Sequence, residues 1–263
     1  MEKCLRQIPF MKLNLSFDFE KIKEEVLAID KWYDYRPPYF TLKPELQALH
    51  KNYKHCAITI VNSLAKSSIV REHFAWHTDP NNPDDSNLTY YYDIPAHQRK
   101  WYATEMAEKM PTLMNFVLSI TDRPTMCKVV KTTGVHGLGW HSHQNDPLLS
   151  KYDNPEQCIL HIPIIANKDV AHIVKLDMPE NRYFFDTLDA YKNDPRCFVE
   201  NFTPGHVWFF NGYYPHAYKN YSTEERIDIL LYSDLEWNPT IREVMTEQIA
   251  MYNGPLLNPV EGY

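Results

Sequence analysis

From Met126 to Tyr232 the chain falls into eight short, β-rich apolar runs separated by turn residues, and this cadence restricts the fold more than any other feature. The runs are Met126–Thr132, Leu138–His143, Cys158–Ala166, Ala171–Leu176, Tyr183–Phe185, His206–Phe210, His216–Lys219 and Ile227–Tyr232. Parallel strands need crossover connections, usually helices, and most of these gaps are too short to hold one. Closely spaced strands with turn chemistry between them predict an antiparallel sandwich or jelly roll. The Pro204-Gly205 pair is a tight turn feeding one of the strands.

The segment ahead of these runs reads as mixed. Met11–Phe17 alternates apolar and polar residues, as a half-buried strand does. Asp18 then caps a helix to about Ile29, with Phe19, Ile22, Val26 and Ile29 on one face. Residues 34–56 read as irregular, followed by a strand at Ala57–Val61 and a polar loop at 79–88. Two helices are predicted near 97–109 and 111–121, and Asp122-Arg123-Pro124 ends the second. A last helix near 238–251 packs outside the strands. The fold class is therefore mainly β with flanking helices, in one catalytic domain over 1–263. Residues 1–125 form a mixed support with substrate loops, 126–235 the β core, and 236–263 a C-terminal helix and tail. A length of 263 residues with 44% hydrophobic content can bury a core of that size.

Bulk properties remove some classes of function. The formal charge is −7 with no compensating basic stretch, so a phosphate-neutralising surface, and with it a nucleic-acid partner, is not expected. Five scattered cysteines (Cys4, Cys56, Cys127, Cys158 and Cys197) without a CxxC pair read as reduced thiols in a reducing compartment. No apolar run approaches membrane-spanning length, and the first ten residues lack a secretory pattern. The expected location is cytoplasmic, without a membrane partner. Nothing in the sequence sets an oligomeric state.

Two segments carry chemistry. In Gly139-Trp140-His141-Ser142-His143-Gln144-Asn145-Asp146, residues two apart on a strand share a face, so His141 and His143 project together. Paired imidazoles with Asn145 or Asp146 nearby suit a divalent iron, zinc, copper or nickel ion, while the alternative is two incidental loop histidines. In the second segment His216 opens a run after Tyr213-Tyr214-Pro215, and Arg226 opens the next, ten positions on. If the polar Asn220–Glu225 turn joins the two as an antiparallel pair, both side chains face inward. A metal-bound histidine with an arginine nearby suits a dicarboxylate that chelates at one end and meets guanidinium at the other. The alternative is a surface arginine paired with Glu224 or Glu225.

The order of these pieces resembles the Fe(II)- and 2-oxoglutarate-dependent oxygenases, nearest the aspartyl/asparaginyl β-hydroxylase and proline hydroxylase-like branch. Leu160-His161-Ile162-Pro163-Ile164, Trp208-Phe209-Phe210-Asn211 after Pro204-Gly205, Pro215-His216-Ala217-x-x-Asn220 and Arg226…Asp234 are further points of similarity. The resemblance implies a double-stranded β-helix (a cupin-like jelly roll) with N-terminal helical support. It implies iron(II), 2-oxoglutarate and dioxygen as cofactor and co-substrates, His216 as the distal metal ligand, and Arg226 on the far carboxylate. His161 matches a position that helps bind the co-substrate, with a core histidine as its other reading. Trp140 and Trp208 could line the mouth.

The sequence departs from that family at the usual His-x-Asp/Glu pair. His143 stands two after His141, Asn145 two after His143, and Asp146 one step further. Three arrangements stay open. In the first, His143 is the first ligand with Asn145 or Asp146 beside it; in the second, His141, His143 and His216 form a three-histidine site; in the third, His141 binds with the carboxylate absent, which also leaves room for a halide. The substrate expected is a small molecule or peptide, an amino acid or peptidyl side chain that becomes hydroxylated, shaped by the 34–56 and 79–98 loops. Arg71, His73, Trp76 and His77 are candidate contacts there. A cupin-like three-histidine dioxygenase without 2-oxoglutarate, or a non-catalytic jelly-roll binding module, are the competing readings.

Overall fold

The computed structural model describes residues 5–30, 32–34, 53–61, 101–142, 157–181, 184–236 and 238–257. In chain order the strands are β1 (Phe10–Leu13), β2 (Tyr33–Asp34), β3 (Tyr53–Val61), β4 (Trp101–Ala103), β5 (Pro124–Thr132) and β6 (His136–His141). After them come β7 (Gln157–Ile165), β8 (Val170–Lys175), β9 (Cys197–Glu200), β10 (Val207–Phe210), β11 (His216–Asn220) and β12 (Arg226–Asp234). The helices are α1 (Phe19–Leu27), α2 (Glu105–Lys109), α3 (Pro111–Ile120), α4 (Leu188–Asn193) and α5 (Pro239–Met251).

Two antiparallel sheets face each other. The larger has the order β1-β10-β7-β12-β5-β3-β2, with β4 beside β3, and the smaller has the order β6-β11-β8-β9. Strands β5 to β12 thus alternate between the sheets except at β8 and β9, which pair with each other in the smaller sheet, and this is the winding of a double-stranded β-helix with flanking helices.

Period-two alternation explains both faces of the larger sheet. On β12, Ile227, Ile229 and Leu231 point outward into a core shared with Leu113, Phe116 and Val117 of α3 and Ile241 and Met245 of α5. Cys158, Leu160, Ile162 and Ile164 of β7 and Val207 and Phe209 of β10 join the same core. Their alternates, Arg226, Asp228 and Leu230 on β12, His161 on β7, and Trp208 and Phe210 on β10, face the smaller sheet. A strand covered on both sides reads as nearly continuous apolar sequence, and the Ile-Asp-Ile-Leu-Leu run shows that character. The helical cover is fixed locally: Asp18 Oδ1 accepts from the Lys21 N–H at the start of α1, and Glu25 accepts from the Thr112 and Leu113 N–H groups at 2.9 and 3.0 Å. No described helix is long and apolar enough to cross a membrane.

The structure corrects four expectations. Residues 101–103 form a strand beside β3, so the helix expected from 97 shrinks to Glu105–Lys109, with Thr104 as its cap. Strand β3 begins at Tyr53, inside the stretch read as irregular. Phe184 and Phe185 are not in a strand; the fifth of the eight barrel strands is instead Cys197–Glu200, after the short helix α4. Finally, β11 and β12 are not an antiparallel pair. Strand β11 pairs with β6 and β8, and β12 with β5 and β7, so the intervening turn crosses from one sheet to the other. Asn220 holds that crossing by donating to the Glu224 carbonyl at 2.8 Å and accepting from the Ser222 N–H at 3.1 Å.

Candidate metal centre and polar barrel interior

Two groups of metal-ligating side chains face the space between the sheets. The first is His141 at the end of β6 and His216 at the start of β11, directly opposite in the ladder with ring centroids 4.2 Å apart. A β-bulge brings them together. Between His216 and Tyr218 the register against β6 slips by one residue, so that Tyr218 pairs with Leu138. Leu138 therefore packs inward against Tyr53, Val130 and Leu230, and His141, three residues on, also points inward. Trp140 between them faces out, into an apolar cluster with Ala171, Ile173, Tyr191 and Ala217.

The tautomers of this pair follow from the backbone. His141 Nδ1 lies 2.8 Å from the Gly139 carbonyl and His216 Nδ1 2.8 Å from the Tyr214 carbonyl, so both Nδ1 atoms carry the proton and donate. The lone pair is then on Nε2 of each ring. Anchoring one ring nitrogen on a carbonyl so that the other can bind is the usual support of a metal-ligating histidine. The donor set accordingly fits a borderline divalent ion. His143, Asn145 and Asp146 lie outside the described residues, as do Arg71, His73, Trp76 and His77.

The second group lies deeper. His161 on β7, His172 on β8 and Asp228 on β12 are all buried and present ligand atoms within 4.8 Å of one another. Phe210 separates the two groups edge-on, with its ring centroid 4.9 Å from His216, 5.3 Å from His161 and 5.7 Å from His172. Asp228 Oδ2 accepts from His161 Nδ1 at 2.7 Å and from Arg226 Nη2. Arg226 also donates to His172 Nε2 at 3.2 Å, and its guanidinium lies 4.2 Å from the centroid of the Tyr218 ring. Tyr218 in turn exchanges a 2.7 Å hydrogen bond with Thr132.

This second group suits a metal ion poorly while Arg226 is in place. Two of its three ligands already accept from a guanidinium, and a dication would be set against that permanent charge in a low-dielectric interior. Burial holds His161 below its usual pKa against the pull of Asp228, and burial and then Arg226 hold His172 well below. Both rings are neutral at neutral pH. The cluster is a network of two imidazoles, one guanidinium and one carboxylate, in which His172 Nδ1 and Asp228 Oδ1 are buried without a hydrogen-bond partner among the described residues.

One more charge faces the same space. Lys128 of β5 is 3% exposed and sits across β12 from His161, the two flanking Leu230. Its Nζ lies 5.9 Å from the centroid of the Tyr232 ring, and burial pushes the ammonium down to about 7.

Of the residues singled out in sequence, the structure brings His141 and His216 together and gathers Arg226 and His161 behind Phe210. Arg226 is inside the barrel, and Glu225 instead pairs with Lys131 at 2.7 Å. Trp208 faces inward, stacked on Phe202 at 4.9 Å, which itself stacks on His172 at 3.8 Å. Sequence reasoning missed His172, Asp228 and Lys128. Asp228 and Lys128 had a signal: each is a charged residue in an apolar strand. Asp228 also shares a strand face with Arg226. His172 had none beyond being polar in Val-Ala-His-Ile-Val.

No protein-family model matches the sequence, and no curated protein matches it. Among solved structures, the chain is similar to HygX from Streptomyces hygroscopicus, solved with nickel and 2-oxoglutarate bound. That likeness is 10% identity over 87% of this chain and 84% of the other, at a TM-score of 0.44. It is also similar to an oxidoreductase of the 2OG-Fe(II) oxygenase family from Burkholderia pseudomallei (10% identity, 84% and 94% of the two chains, TM-score 0.38). A third likeness is to a cupin domain from Bordetella pertussis (11% identity, 40% and 77% of the two chains, TM-score 0.24). At these identities and scores the likenesses assign no activity.

Proposed function

We propose that this chain is a non-haem iron(II) oxygenase that uses 2-oxoglutarate and dioxygen to hydroxylate an amino acid or peptidyl side chain. The observation that carries the reading is the His141/His216 pair, anchored through Nδ1 and opposed across β6 and β11, at one end of a barrel whose interior holds buried cations. His141 and His216 would hold the metal, with His143, Asn145 or Asp146 as candidates to complete the set. Iron(II) bound there would supply dioxygen activation coupled to the oxidative decarboxylation of 2-oxoglutarate to succinate and carbon dioxide.

The protein's own residues then have three tasks. Gly139 and Tyr214 carbonyls orient the two imidazoles. The Phe210, Phe202 and Trp208 rings form an apolar wall beside the histidine pair and exclude water from it. The basic interior behind Phe210 receives the far end of a dicarboxylate, whose chelating end stays with the histidines. The sequence resemblance to the aspartyl/asparaginyl β-hydroxylase branch supports an amino acid or peptidyl substrate.

One observation favours a second reading. Asp228 already neutralises Arg226, as a cupin-like histidine dioxygenase with no 2-oxoglutarate would allow. Succinate formation separates them. Anaerobically purified protein given iron(II), 2-oxoglutarate, ascorbate and oxygen should form succinate above background, and His216→Ala should not. Iron binding and 2-oxoglutarate-independent oxygen uptake, with no succinate and no 2-oxoglutarate binding, would favour the second reading.

A further inference from the structure

His216 is oriented through a carbonyl, so whatever fixes that carbonyl also fixes the histidine. The chain leaves the larger sheet at Phe210 and enters the smaller at His216, and residues 211–215 between them belong to neither sheet. Within this loop the Tyr214 carbonyl meets His216 Nδ1 at 2.8 Å. A neutral imidazole can carry its proton on either nitrogen, and the hydrogen bond made by one nitrogen selects which. Turning the Tyr214 carbonyl away would let the proton move to Nε2, where it blocks a metal.

Asn211 supplies the hold that a ladder would otherwise give. Its side chain is buried, and both ends of the amide are engaged. The oxygen accepts from the Tyr213 N–H at 2.9 Å, and Nδ2 donates to the Arg6 and Ile8 carbonyls at 3.1 and 2.9 Å. Its backbone N–H donates to the Pro9 carbonyl at 3.1 Å. The oxygen contact is an Asx-type turn that bends the loop one residue ahead of Tyr214, and the donor contacts staple that turn to the segment before β1. That segment is itself pinned. The Leu257 N–H donates to the Gln7 carbonyl at 2.7 Å, and the Leu257 side chain is buried in the cluster that holds Phe10, Phe210 and Tyr214. At the far end of the loop, the Pro215 carbonyl accepts from the Lys175 N–H at 2.8 Å. An aspartate at 211 would set a carboxylate against two carbonyls, whereas one short amide supplies both the donors and the acceptor.

We propose that Asn211 is a positioning residue for the metal centre: it holds the 211–215 loop so that the Tyr214 carbonyl keeps the proton on Nδ1 of His216 and leaves Nε2 for the metal. The inference rests on His216 as a metal ligand, as proposed above, and extends that reading to a side chain that acts through the loop.

The test uses the full chain with isotope-labelled histidine, and cobalt(II) as the metal probe. In metal-free wild type, NMR of the imidazole nitrogens should find the His216 proton on Nδ1, and calorimetry should show cobalt(II) binding that His216→Ala loses. Asn211→Ser keeps an oxygen near the Tyr213 N–H but loses the pair of amide donors. It should show both tautomers at His216, leave His141 as in wild type, and bind cobalt(II) about tenfold more weakly, the lower end of what losing a ligand's support costs. Asn211→Gln, whose amide sits one methylene out of place, serves if Asn211→Ser does not fold. Glu25→Ala removes the cap of α3 and none of these bonds, and should leave both readouts unchanged. A wild-type tautomer or wild-type cobalt(II) affinity in a folded Asn211→Ser or Asn211→Gln protein would overturn the proposal. So would an equal loss of affinity in Glu25→Ala, which would make the effect one of general stability. A wild type that binds no cobalt(II), or binds it without His216, fails earlier, at the metal reading, and takes this proposal with it.

Discussion

Arg226→Met would remove a buried guanidinium while keeping much of its volume, and the structure gives the cost. Asp228 is fully buried, and its Oδ2 accepts from Arg226 and from His161. Without Arg226, that carboxylate keeps one donor from a neutral imidazole, and His172 Nε2 loses the donor it accepts from. Breaking a buried ion pair from one side costs about 3–5 kcal/mol, because the partner charge stays uncompensated. Asp228→Leu should cost a similar amount by stranding the guanidinium, less whatever the Tyr218 ring retains. The double substitution removes both charges and should cost much less than the two singles together, with a coupling of about 2 kcal/mol or more. Urea unfolding at pH 7.5, followed by tryptophan fluorescence, measures all four corners of the cycle. Single losses below about 1 kcal/mol that simply add would refute the buried network, since exposed pairs behave that way.

Three further outcomes follow from the same structure. Glu25→Ala removes the carboxylate that accepts from Thr112 and Leu113 at the first turn of α3, and should lower the urea unfolding free energy by about 1 kcal/mol. Lys128 has its pKa pushed from 10.5 to about 7 by burial, so between those values the unfolded chain binds more protons. Stability should therefore rise with pH across that window in wild type relative to Lys128→Met, and equal slopes in the two proteins would contradict the burial. His161 and His172 are held below the ordinary value of 6.5, so the unfolded chain binds more protons as pH falls beneath it. The urea midpoint should drop from pH 7.5 to pH 5.5, and by less in His172→Phe.

Much of the barrel was legible because its strands keep period two over lengths a strand can hold. The Leu160-His161-Ile162 and Ile227-Asp228-Ile229 alternations place the apolar residues towards the helices and the polar ones inward. Strand β9 was not legible: Cys197–Glu200 is half-buried along its length at a sheet edge, and carries no strong alternation. The sheet partners of β11 and β12 were hidden for another reason. A turn such as Asn220–Glu225 serves a hairpin and a crossing between sheets equally well, and only the packing of both layers decides which. At the site, His141 was found from its pairing with another histidine and His216 from its distance to Arg226. His141 is turned inward by a bulge that no local residue announces. Asp228 escaped because a buried aspartate becomes meaningful only once Arg226 and His161 are known to converge on it.

In the function proposed above, the metal belongs to His141 and His216 and not to the buried His161, His172 and Asp228. The most direct measurement is iron content after anaerobic dialysis against iron(II), in wild type, His141→Ala, His216→Ala, His161→Gln and His172→Gln. Wild type should hold one iron per chain, the first two variants should lose it, and the last two should retain it. Iron retained by folded His141→Ala and His216→Ala proteins but lost from His161→Gln and His172→Gln would contradict it and place the metal in the buried network.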